Sequence, residues 1–238
     1  LLAQLPEALQ RGDVYSEATL QLSRGATLIA RGRIAEAREI ARALASRWGG
    51  RGSLQIQSFY AARLDLLCDL VDGDPRASLA RMRALWPALR ASGMLLSPLV
   101  RMDASWLRGR VALRAIVAGR ADAMLARELS DAARQLENLK RPDARARAAL
   151  LRAGLMRSRD ASNQMVFHLR SALAGFEASQ TAAMVLGCRR LLAWQQGSAS
   201  SRGEEEPLSA LRELGVRDAG AWARTEFVGF DRAFPERQ

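Results

Sequence analysis

An apolar-periodic stretch, a short break rich in Gly, Asp or Arg, and a second apolar-periodic stretch recur along this chain. Such repetition limits the fold more than any single motif, because one helix pair cannot bury its apolar face without a stacked neighbour. The clearest copy runs from Asp13 to Trp48. After a turn at Gly32-Arg33 it presents Ile34, Ala37, Ile40, Ala41, Leu44, Ala45 and Trp48 at helical spacing, and Gly49, Gly50 and Gly52 end it. A second copy spans Leu54 to Ser92. Asp74 suits the N-cap and Pro75 the first helical position there, Leu79, Met82, Leu85, Trp86 and Leu89 make the stripe, and Pro87 predicts a kink or a split.

The third copy follows Pro98, passes Trp106, Gly109 and Leu113, turns near Gly119-Arg120 and returns through Leu125, Leu129, Ala132, Leu136 and Leu139. The fourth pairs residues 143–157 with a helix carrying Met165, Leu169, Leu173 and Phe176, capped by Asp160 or Ser162. Beyond it lie a helix over 181–196, a polar loop over 197–206, short helices near 207–214 and 219–227, and Phe230 and Phe234 as pins for the tail. Turn-to-turn distances are 41 residues (Gly32 to Gly73), 46 (Gly73 to Gly119) and 41 (Gly119 to Asp160). Ala, Leu and Arg dominate and β-branched residues are sparse, which also favours helices.

These features predict an all-α chain in three parts. A solenoid of about four antiparallel helix pairs occupies 1–196, the loop 197–206, and capping helices with a tail 207–238. No apolar run approaches the roughly 20 residues that cross a bilayer. Neither an initiator Met nor a signal-peptide pattern opens the chain. The expectation is a cytoplasmic segment of a larger protein.

The formal charge of +11 raises nucleic acid as a ligand. Of 36 basic residues, however, Lys140 is the one lysine, and the arginines are spread along every segment. That is the mark of a GC-rich coding bias, and nucleic acid is not the expected main ligand. Cys68 and Cys188 lie far apart and His168 is the sole histidine, which excludes a zinc-finger site, a disulfide framework and any site needing two histidines. Glu204, Glu205 and Glu206 read as the acidic start of a helix, and Asp72 and Asp74 as turn and cap. No catalytic, metal or cofactor site is expected.

Gly25 followed by Gly32-Arg33-Ile34-Ala35-Glu36-Ala37 resembles the TPR signature, in which small residues at the positions of Gly25 and Ala37 let the two helices approach. Leu66 and Ser78 stand at those places in the second copy, so the chain is TPR-like and not a run of consensus repeats. A wider resemblance rests on Trp48 to Trp86 (with Tyr60, Asp72-Gly73-Asp74 and Leu85-Trp86-Pro87-Ala88-Leu89), on Leu107 to Leu113, and on Gly215-Val216-Arg217 through Gly229-Phe230. It is similar to the helical tail of large bacterial serine/threonine protein kinases of the myxobacterial type, which carry a kinase domain, an ATPase domain and degenerate TPRs.

That resemblance implies a regulatory or scaffolding segment, without kinase chemistry of its own. No Gly-x-Gly-x-x-Gly, His-Arg-Asp or P-loop pattern is present. In a TPR-like solenoid the first helix of each pair lines the concave surface. Placing Leu66 and Gly109 at the small-residue position then points Tyr60, Arg63, Asp103 and Arg110 into a groove. The expected partner is an acidic protein segment, or the kinase and ATPase domains upstream. Two other readings are the repeat segment of a large ATP-dependent transcription activator and a basic nucleic-acid-binding module.

Overall fold

The computed structural model describes residues 4–48, 54–120, 122–196 and 201–234, which form twelve α-helices and no strand. These are α1 (Leu5–Gln10), α2 (Val14–Ala30), α3 (Ile34–Trp48), α4 (Ile56–Asp72), α5 (Pro75–Ala91), α6 (Pro98–Val117), α7 (Ala123–Glu137), α8 (Pro142–Arg157), α9 (Ser162–Ala178), α10 (Ala182–Gln195), α11 (Ser201–Glu213) and α12 (Ala219–Glu226). Successive helices from α1 to α11 pack against one another. Alternate helices α2, α4, α6 and α8 also touch. The first helices of the pairs therefore share a layer.

Local chemistry sets the helix ends. Asp13, Asp74, Asp122 and Asp218 each accept a backbone N–H of the first turn of α2, α5, α7 and α12. Left-handed residues end the helices. Gly32 and Gly119 take φ of +76° and +87°, and Lys140, Asp160 and Gln180 take +57°, +56° and +55° at the corresponding turns. Asp160 thus belongs to the turn, and α9 is preceded by Ala161, which has no capping side chain; neither Asp160 nor Ser162 is its cap.

Two further expectations change. Pro87 neither splits α5 nor ends it. Pro87 and Arg83 are exposed, so solvent serves the carbonyl that proline leaves without a donor, while Met82 and Leu89 keep the opposite face buried. The polar stretch expected as a loop over 197–206 is helical from Ser201, because glutamates are good helix formers ahead of the apolar Leu208 and Leu211. Residues 197–200 lie outside the described residues.

The core is one large cluster running from Leu28 to Phe234, with two satellites around Trp48 and Phe59. Helices α6 and α8 are buried on nearly every side, which explains why their apolar and small residues do not form a single stripe. Close approach between first helices needs glycine. A Cβ on Gly25 would lie 2.3 Å from Leu64 of α4, and one on Gly109 would lie 2.3 Å from Leu151 of α8. The space at Gly25 is thus filled by the next first helix, not by the partner helix that the TPR signature suggests. Between α3, α4 and α5 a buried Asp69 receives Arg38 Nη1 at 2.6 Å and Ser78 Oγ at 3.1 Å, with Arg81 alongside.

Candidate functional site

After α11 the chain turns back across the first-helix layer. Arg217 and Asp218 donate their N–H groups to Ala30 O at 2.8 and 2.9 Å, satisfying a carbonyl that the end of α2 leaves open. From there α12 packs on α2 and α4, and residues 227–234 continue over α6, α8 and α10.

Three arginines hold this segment by its main chain. Arg110 Nη1 of α6 donates to Thr225 O at 2.7 Å. Arg157 Nε of α8 donates to Gly229 O at 2.7 Å. Arg190 Nε of α10 donates to Ala233 O at 2.5 Å. The three carbonyls are four residues apart, and each arginine comes from a different helix. Charge-assisted bonds of this kind are stronger than neutral ones. Aromatic rings complete the grip. Arg110 lies over Trp106, Arg157 over Trp194 and Phe230, and Arg190 over Phe234, at 4.5–5.6 Å. Phe227 stacks on Phe234 with centroids 5.6 Å apart.

The four residues read from the sequence as a groove do come together on the α4–α6 part of this face. Burial, and the nearby Asp103 carboxylate, raise the Tyr60 phenol above its ordinary value. Arg63 is half-buried and faces the Arg110 neighbourhood. Arg110 differs from expectation. It is 1% exposed, closed over by Thr225 and Glu226 and not open to a partner. Burial lowers its guanidinium to about 10; Glu226 opposes that shift, while Arg63 and Arg147 add to it. Burial pushes the Glu226 carboxyl up, but Arg110, Arg147, Arg63 and the Trp106 N–H outweigh it and leave the carboxyl below its ordinary value.

Glu226 thus pairs with Arg110 and attracts Arg63 and Arg147, of which Arg147 also pairs with Asp143 at 3.2 Å. Arg63 Nε, Arg110 Nε and Nη2, Arg114 Nε and Asp231 Oδ1 are buried without a hydrogen-bond partner. Buried polar atoms left in that state are rare in folded proteins.

The sequence reading does not single out Arg157, Arg190 or Glu226. A usable signal exists for the first two: Gly154-x-x-Arg157 and Gly187-x-x-Arg190 put a glycine and an arginine on one helix face. Glu226 has no local signature. Trp106 is 3% exposed and donates Nε1 to Glu226 at 3.3 Å, so it serves both the core and this face. His168 is partly buried beside Phe167, away from this face. Among the described residues no group of three or more His, Cys, Asp or Glu side chains could hold a metal ion, and no helix is long and apolar enough to cross a membrane. No protein-family model, no curated protein and no solved structure matches this chain.

Proposed function

We propose that this chain is a non-catalytic protein-interaction segment of a larger bacterial kinase-type signalling protein, folded as a TPR-like solenoid. In this reading α2, α4, α6, α8 and α10 line its concave side. The packing of alternate helices supports the repeat arrangement. One observation carries the function: the first-helix face grips a polypeptide through three main-chain carbonyls held by Arg110, Arg157 and Arg190. Grooves that bind peptides commonly use main-chain contacts for affinity and side-chain pockets for selectivity.

The partner is a protein segment bearing carboxylates. Arg63, Arg110 and Arg147 all act on the Glu226 carboxylate, and the unmet donors of Arg63, Arg110 and Arg114 suit further acidic oxygens. Against the nucleic-acid reading stands the use of arginine elsewhere. Arg38, Arg47, Arg83 and Arg152 are tied to acids on neighbouring helices and are not free to gather phosphates. The segment works in the cytoplasm, beside the kinase and ATPase domains of its own chain or with a separate protein.

The test is partner capture. The immobilised chain and its Arg63→Glu variant are exposed to nuclease-treated lysate at low and moderate salt. A discrete protein retained at moderate salt by the parent chain and lost by the variant is the expected result. Material that disappears with nuclease or salt alone would move the assignment to nucleic acid.

A further inference from the structure

We infer that residues 218–234 are a ligand held in cis, and that the same face accepts in trans a polypeptide segment repeating their pattern. That pattern is an acid, an aromatic directly after it, a glycine two residues beyond that aromatic, and aromatics three and seven residues beyond it. Here these are Glu226, Phe227, Gly229, Phe230 and Phe234. The inference rests on reading the first-helix face as a polypeptide-binding surface.

Each element of the pattern has a receptor on the face. Glu226 meets Arg110 Nη1 at 2.9 Å and the Trp106 N–H at 3.3 Å. Phe227 fills the space that Gly187 leaves: a Cβ there would lie 2.2 Å from its ring. Gly229 has φ of +88°, a region side chains avoid, and a Cβ on it would meet Val117 at 3.3 Å. Phe230 sits under Arg157 and Phe234 under Arg190. The carbonyls of Thr225, Gly229 and Ala233 set the register and would be supplied by any chain in this conformation.

The cis segment is an incomplete match. Arg63 Nε, Arg110 Nε and Nη2 and Arg114 Nε stay unpartnered beneath it. A cleft of about 790 Å³ remains beside Gly229, Asp231 and Arg232, against Val117, Arg157 and Ser162. A trans segment with a second carboxylate next to the Glu226 position satisfies donors that the chain's own segment leaves unmet. The cis segment therefore competes through its tether, which supplies an effective concentration on the order of millimolar.

The experiment loosens the segment and leaves the receptor face intact. Full-length chains carrying Phe227→Ala with Phe230→Ala, or Gly229→Ala alone, are titrated against a fluorescein-labelled peptide of residues 216–234, with anisotropy and far-UV circular dichroism as readouts. At least one variant should keep its helical signal and bind the peptide about tenfold more tightly than the parent chain. Adding Arg157→Ala should reverse that gain, and a peptide with both phenylalanines replaced by alanine should not bind. Unchanged peptide affinity in a variant that keeps its helical signal overturns the inference. So does loss of that signal in both variants, since the segment is then part of the core. Partner capture that depends on Arg63 is independent of either result, so the two readings fail separately.

Discussion

Arg110 Nη1 and Glu226 Oε1 lie 2.9 Å apart across 116 positions of sequence, and the arginine is 1% exposed. This pair joins the middle of the first-helix layer to the C-terminal segment. Removing one partner of a buried ion pair leaves an uncompensated charge. Glu226→Ala should therefore destabilise the chain by about 3 kcal/mol in urea unfolding, the low end for a buried pair because Glu226 keeps some access to solvent. Arg110→Met with Glu226→Met should recover most of that loss, and equal instability in single and double variants would show that the pair is not coupled.

The same carboxyl sets part of the response to acid. Glu137, held by Arg152, Asp143, held by Arg141 and Arg147 against the effect of burial, and Glu226 all stay below their ordinary values when folded. The unfolded chain binds protons first, so the stability these groups contribute is complete above the unfolded carboxyl range of about 4 and is lost as pH falls through the lowered folded values. Urea midpoints should fall from pH 5 to pH 3, with a shallower fall in Glu226→Gln.

Gly187 makes room for Phe227. An alanine there gains helix propensity but drives its Cβ to 2.2 Å from the phenylalanine ring, a clash that rigid packing cannot absorb. Gly187→Ala should lower stability by about 2 kcal/mol. Phe227→Leu in the same chain should relieve part of it, a non-additivity visible in a double-mutant cycle.

Asp69 is 5% exposed and ties α3 to α5 through Arg38, Arg81 and Ser78. Asp69→Ala should cost about 3 kcal/mol and Ser78→Ala about 1 kcal/mol, as measured by denaturant midpoints. Both arginines retain some exposure, so the aspartate variant should still fold.

Cys68 and Cys188 are buried free thiols, each pushed up to about 12 by burial. The thiolate is the reactive form. Neither should react with a disulfide reagent at pH 8 in the native chain on the time scale of minutes, and both should react at once in denaturant. Fast native reaction of either would mean that its helix opens readily.

Helix order and most helix ends were legible from residues close in sequence. Asp74 with Pro75 starts α5, Gly32 and Gly119 end α2 and α6, and the stripes through Ala37 or Leu129 face the core. Capping, left-handed turns and 3.6-residue periodicity act over a few residues, so the chain carries them openly. Tyr60, Arg63, Asp103 and Arg110 were placed on one face by the resemblance to a TPR, with Leu66 and Gly109 at its small-residue position. Such a register says which way a residue points and nothing about what covers it. The covering of Arg110 by Thr225 and Glu226, and the hold of Arg157 and Arg190 on Gly229 and Ala233, arise from contacts across 43 to 116 positions. Three of those contacts end on main-chain carbonyls, which every residue possesses and no residue advertises. They form because folding brings the C-terminal segment over arginines that burial would otherwise leave without acceptors.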